Sequence, residues 1–261
     1  MIALLLSALV LAACQSAPVT GRSQLMLVSE EEERQAGLLA FHQVRTQEPP
    51  SHDAAANELV ERVSRRIAAA AEAPPDNLWK APHYRWEFEV IDKRIPNAGC
   101  LPGGKIYVYT GLLPITQDDA GMAAVIGHEV AHALARHGAE RMSDKKAVSI
   151  AAAAAVVALA VNSRTSALAP ATMVALGAGA KYGILLPMSR TQESEADRIG
   201  LILMALAGYD PNEAVNVWER MRLIDKGPNP PIWASTHPSD EQRIKDLKAW
   251  VPEAMKYYHP Q

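Results

Sequence analysis

The sequence predicts an α+β, helix-dominated fold in which a small antiparallel sheet packs on one central helix. Three observations carry this. Alanine-rich stretches lie between prolines, with 18 Pro against only 2 Phe, a composition that suits helices packed closely through small side chains and joined by proline-marked loops. Residues 84–91 and 105–110 show strand-like patterns between turn signals. After Gly111 the period becomes helical, with Met122, Val125, Ile126, Ala133 and Leu134 forming one apolar stripe. At 261 residues, 49% hydrophobic and 21% charged, the chain can bury a sizeable core. Its 26 basic and 29 acidic residues leave no surplus to neutralise a phosphate backbone, which argues against a nucleic-acid partner.

The elements follow in order. Residues 1–13, MIALLLSALVLAA, are apolar apart from Ser7 and shorter than the roughly 20 residues that span a bilayer. Leu11-Ala12-Ala13-Cys14 resembles a bacterial lipobox, so 1–13 is expected to be a lipoprotein signal segment, Cys14 the lipid attachment point and 14–28 a lipid-anchored linker. With Gln15 after the cysteine, the implied address is the periplasmic face of the bacterial outer membrane. Residues 29–261 are expected to form a single domain. With Cys14 acylated, Cys100 has no intrachain partner and reads as a small buried hydrophobe.

Ser29-Glu30-Glu31-Glu32 has the spacing of a capping box, which makes the acidic run a helix start rather than a metal site. That helix runs to about Thr46. A second covers about Asp53 to Glu72, with Leu59, Val63 and Ile67 on one face. The strand at 84–91 follows, then Ile95–Leu101, paired with 105–110 through the Pro102-Gly103-Gly104 turn. Beyond the central helix, 147–161 and 171–186 are apolar enough to raise a membrane hairpin, but alanine is a weak insertion signal and both are short, so they are read as buried or interfacial helices. Helices at about 189–207, 212–223 and after Pro238 to about Trp250 complete the chain.

His128-Glu129-Val130-Ala131-His132 is an H-E-x-x-H motif. On a helix, residues four apart share a face, so both imidazoles can bind one Zn²⁺ while Glu129, one residue round, reaches the attacking water. The small apolar neighbours of the motif are wrong for a solvated surface helix. A catalytic zinc needs a third protein ligand. His137 stands five residues past His132, about 140° round a continuous helix, and is excluded as that ligand. Downstream, Glu193 and Asp197 lie four apart on one helical face, a glutamate suited to the cation and an aspartate able to accept a ligand histidine's other N–H. Glu195 lies about 200° round from Glu193 and is expected to face away.

HEVAH at 128–132, the E-x-x-A-D element Glu193–Asp197, NAGCLPGGKIYVYTGLL at 97–113 and THPSDEQRI at 236–244 together resemble metallopeptidase family forty-eight, the gluzincin group of the HtpX, BepA and CAAX-prenyl-endopeptidase types. The similarity extends from about Pro18 to the last helix. It implies a zincin-like (gluzincin) domain, one zinc held by His128, His132 and Glu193, Glu129 as general base and Asp197 behind a ligand histidine. His237 and Arg243 match the family's late pair beside the metal and are expected to be catalytic, His237 either as an oxyanion donor, the favoured role, or as a lid that occupies the open metal position. Where the family often carries a bulkier residue stands Gly99, which bears on the shape of the cleft. An extended substrate would add along the strand edge at Asn97, Ala98, Gly99 and Cys100. The implied function is zinc-dependent hydrolysis of unfolded or misfolded envelope and outer-membrane proteins. The alternative is a zinc-dependent periplasmic chaperone or assembly factor with secondary proteolysis.

Overall fold

The computed structural model describes residues 14–75, 78–161, 188–225, 237 and 241–260. The helices begin where the sequence supplies caps. Ser29 accepts from the Glu32 amide while Glu32 reaches back, opening α1 (Glu30–Gln47). Asp53 accepts from the amides of Ala55 and Ala56 at the head of α2 (Ala54–Glu72), and Asp118 from that of Gly121 at the head of α3 (Asp119–Leu134). Each satisfies amides that the first turn leaves open.

Ahead of these, residues 14–28 are not the linker expected. Cys14–Ser16 (β1) and Ser23–Leu25 (β2) form a two-stranded antiparallel ribbon, and Ala17, Gln24, Met26 and Val28 are buried. Gln24 donates to the Ala135 carbonyl, which ties the ribbon to the end of α3. Those interactions are specific side-chain contacts with segments more than 100 residues away, which local composition does not encode.

Glu87–Ile91 (β3), Ala98–Leu101 (β4) and Lys105–Tyr109 (β5) make one sheet in the order β3-β5-β4. The β4–β5 hairpin is antiparallel as expected, with Gly99 opposite Tyr107. β3 lies parallel to β5, because the chain leaves β3, crosses the end of β5 where the Gly111 amide donates to the Lys93 carbonyl, and enters β4 on the far side. The sheet is therefore mixed, and its β4 edge lies against α3.

Every residue of α3 from Gly121 to Leu134 is buried, the two histidines and the glutamate included. Around it pack α2, β4, α5 (Arg190–Leu206) and α6 (Asn212–Asp225), while α7 (Glu241–Ala254) closes over α5 and α6. Where α3 crosses α5 the backbones touch: a Cβ on Gly200 would stand 3.1 Å from the His128 nitrogen, and one on Gly127 3.1 Å from the Gly200 carbonyl oxygen. That seam brings the two ligand-bearing helices to backbone contact.

In chain order α4 (His137–Val161) lies between these two helices. It is a separate helix, since Arg136 sits at φ 55° and breaks the path after α3. The apolar stretch 147–161 forms its second half, and within it Val148, Ile150 and Val157 are 58%, 63% and 61% exposed rather than buried as expected. Among the described residues no helix is long and apolar enough to cross a membrane. The segments expected at 1–13 and 171–186 lie outside the described residues.

Candidate metal centre

His128 and His132 stand one turn apart on α3, and Glu193 opposes them from the first turn of α5. That position suits an anion, because the free amides of a helix start are partially positive. Ser189 fixes the turn with a second capping box closed by Gln192. His128 Nε2 and His132 Nε2 are 3.1 Å apart, and the Glu193 carboxylate lies 3.5 and 3.4 Å from them. His237 Nδ1 joins the same group, 3.2 Å from His128 Nε2 and 2.9 Å from Glu193 Oε1.

The donors fit a zinc ion. One ligand atom from each of His128, His132, Glu193 and His237 lies within 4.8 Å of all the others, and all four residues are buried. Three imidazoles and one carboxylate are a donor set that zinc accepts tetrahedrally. Electrostatics agree. Burial opposes charge on Glu193, yet hydrogen bonds from His128, His132 and His237 hold its carboxyl far below the usual range. Burial likewise opposes protonation of His128, but Asp197 and Glu193 raise it to about 9. A positive charge is wanted at this point, whether proton or metal. His132, with less support, is pushed well below the ordinary histidine value by burial.

Around the donors, Asp197 Oδ1 lies 2.9 Å from His128 Nδ1. Accepting that N–H leaves Nε2 for the cation. Arg243 donates from Nε and Nη2 to the two Asp197 oxygens, both at 2.7 Å, and its Nη1 is 3.0 Å from Glu193 Oε2. Its guanidinium stacks 3.5 Å above the centroid of Trp218, whose ring also meets His128 edge-on. Arg243 thus braces the ligands from behind. Trp218 escaped the sequence reading because a tryptophan on an amphipathic helix reads as core.

Glu129 points into the same chamber. Its Oε1 is buried, accepts no hydrogen bond and lies 3.7 Å from His237 Nε2. Burial raises its pKa, which suits a group that must take and return a proton near neutral pH. Asn97 to Cys100 enter and form the outer strand β4 beside α3. The Tyr107 ring occupies the space over Gly99, 2.6 Å from where a Cβ would stand, so that a large aromatic on β5 does the filling. Cys100 is half-buried rather than buried as expected, and desolvation raises its thiol well above the usual range. Glu195 is away from the donor group, yet it is buried rather than solvated, at 3% exposure. His137 also stays off the donor group, but not for the angular reason given above: with the helix broken at Arg136, its Nδ1 turns back to 2.7 Å from His132 Nδ1.

A buried H-E-x-x-H helix crossed by a second helix that brings a glutamate, with an uncommitted carboxylate in the chamber, defines a zinc metallopeptidase. The sequence model of Peptidase family M48 matches residues 54–251. The chain belongs to that family. It is 34% identical over 262 residues to the mitochondrial metalloendopeptidase OMA1 of Saccharomyces cerevisiae, covering 93% of this chain and 70% of that one. To OMA1 of Schizosaccharomyces pombe it is 42% identical over 171 residues, covering 65% of this chain and 48% of that one. To the beta-barrel assembly-enhancing protease of Yersinia pestis it is 28% identical over 238 residues, covering 88% and 46%. The chain therefore spans about half the length of the second and third of these relatives. The similarity to OMA1 proteins, mitochondrial by name, overturns the periplasmic outer-membrane location read from the first fourteen residues. A short apolar run reports hydrophobicity and does not specify which membrane system it serves.

Proposed function

We propose that this chain is a zinc-dependent endopeptidase of protein quality control that cleaves unfolded or misfolded chains, and that His237 closes the fourth metal position in the resting state. One observation carries the reading: four buried donors converge while Glu129, beside them, has an oxygen with no hydrogen-bond partner. Zinc, when bound there, polarises the substrate carbonyl and eases deprotonation of water. Glu129 takes the proton from the attacking water and returns it to the leaving amine. β4 offers main-chain groups along an outer edge that no described strand pairs with; an extended chain adding there gains backbone hydrogen bonds with little demand on its sequence. Unfolded chains meet that requirement and folded ones do not. His237 Nδ1 lies inside the donor group, against His128 Nε2 and Glu193 Oε1, which favours the lid role over the donor role. Cys14, exposed at the head of β1, is proposed as a lipid attachment point.

Glu129→Gln tests this on an unfolded protein substrate with purified chain. The variant should keep its zinc, because Glu129 is outside the donor group, and lose at least about a hundredfold in turnover. Full proteolysis by the variant refutes the mechanism. Retained client binding with no cleavage in either protein would favour a chaperone.

A further inference from the structure

Behind His132, on the side away from the donor group, a line of buried polar groups leads to the N-terminal ribbon. His132 Nδ1 lies 2.7 Å from His137 Nδ1. His137 Nε2 lies 3.1 Å from Glu195 Oε2. Glu195 accepts from Thr20 Oγ1 at 2.6 Å and from Arg22 Nε and Nη2 at 3.0 and 2.8 Å. Arg22 then grips Glu140 with Nη1 and Nη2, at 2.5 and 2.8 Å. His137 is fully buried, and Glu195 and Glu140 nearly so. Thr20 and Arg22 are held by the tight turn of the ribbon, in which the Gly21 amide donates to the Ala17 carbonyl and that of Ala17 to the Arg22 carbonyl.

We propose that His137 is a positioning residue for the zinc ligand His132 and that the Thr20–Arg22 turn, acting through Glu195, fixes which nitrogen of His137 carries the proton. The proposal rests on the zinc reading of the site. Proton count decides the tautomer. A carboxylate only accepts, so Glu195 requires a proton on His137 Nε2. That leaves a lone pair on His137 Nδ1, and at 2.7 Å a single proton fits between the two Nδ1 atoms, so it resides on His132. His132 Nε2 is then a lone pair aimed at the other ligands. The opposite tautomer of His137 would set two lone pairs against each other at Glu195 and two protons against each other at His132. Donation therefore runs from His132 through His137 to Glu195, which also accepts from Thr20 and Arg22 on its far side. Two carboxylates share one guanidinium at the far end, which leaves negative charge to support a cation at the near end. The strap that looked like a linker is thus part of the metal centre.

Glu195→Gln keeps the shape but lets an amide N–H face His137, which removes the selection. Competition with a chromogenic chelator should show zinc binding weakened about 10- to 100-fold. Arg22→Gln should weaken binding in the same direction, and Arg22→Lys should recover part of the loss. Arg198→Gln, which breaks a surface pair with Glu253, should leave zinc affinity unchanged. Ring-nitrogen NMR of the zinc-loaded chain should find His137 protonated at Nε2. Protonation at Nδ1 overturns the proposal, as does zinc affinity within twofold of the unaltered chain in both the Glu195 and Arg22 variants. Failure of the unaltered chain to bind zinc would instead sink the reading of the site itself, and the relay with it.

Discussion

Gly200→Ala puts the geometry of the helix seam to a quantitative test. The added methyl would stand 3.1 Å from the His128 nitrogen and 3.2 Å from His128 Cα and the Gly127 carbonyl carbon. Ordinary contact begins near 3.4 Å, so α3 and α5 must part by about 0.3 Å where backbone meets backbone. Overpacking of this kind costs about 1–3 kcal/mol, and replacing a mid-helix glycine by alanine returns about 1 kcal/mol. The net loss is about 0–2 kcal/mol, or a fall in Tm of no more than about 8 °C for a chain of this size. Zinc is less forgiving. Its ligand distances hold to about 0.2 Å, and the parting separates His128 and His132 from Glu193. Chelator competition should therefore show affinity reduced roughly tenfold, about 1.4 kcal/mol, with only a modest change in zinc-free melting. A variant that melts higher than the unaltered chain and binds zinc equally well would refute the claim that this seam sets the ligand spacing.

Other outcomes follow from the same geometry. Glu193→Ala should lose zinc on dialysis, whereas Glu195→Ala should retain it with weakened affinity; metal analysis of the dialysed proteins that finds the reverse order would exchange their roles. His237→Ala should raise basal cleavage and self-digestion in a gel assay if the imidazole is a lid, and turnover that falls instead would restore the donor role. Glu195 also sets an acid limit. Burial pushes its carboxyl up, but hydrogen bonds from His137, Arg22 and Thr20 hold it down at about 2 in the folded chain, against 4.5 ordinarily. A depressed folded value means a stabilisation that is complete above about pH 4.5 and lost as pH falls toward 2. The stability gap between the unaltered chain and Glu195→Gln, read from urea midpoints, should therefore narrow from pH 7 to pH 3, and a constant gap would contradict the assignment.

Much of this was legible in the sequence because the signals are local. Ser29, Asp53, Asp118 and Ser189 each cap the helix they precede, and the spacings of His128, His132, Glu193 and Asp197 placed all four on faces that meet. What escaped was not local. Arg136 gives no glycine or proline signal at its own position, so the helix was read straight through His137. The parallel pairing of β3 depends on where a loop crosses β5. Thr20 and Arg22 meet Glu195 across more than 170 residues, a contact to which no periodicity points, though the Thr20-Gly21 turn opens the stretch that resembles the family.

The parts of the metal centre are spread along almost the whole described chain, and this governs when activity can appear during synthesis. The H-E-x-x-H helix emerges after the ribbon, Glu193 and Glu195 some sixty residues later, and Arg243 comes 115 residues after His128. Chains emerge and fold from the N-terminus, so the ribbon at 14–25 waits, without its carboxylate partners, until α5 has been made. Until α7 arrives, Glu193 and Asp197 lack the guanidinium that neutralises them, and the chamber has neither its brace nor its lid. A chain still on the ribosome thus holds the motif without the means to cut, and loss of the last helix from a finished molecule would return it to that state.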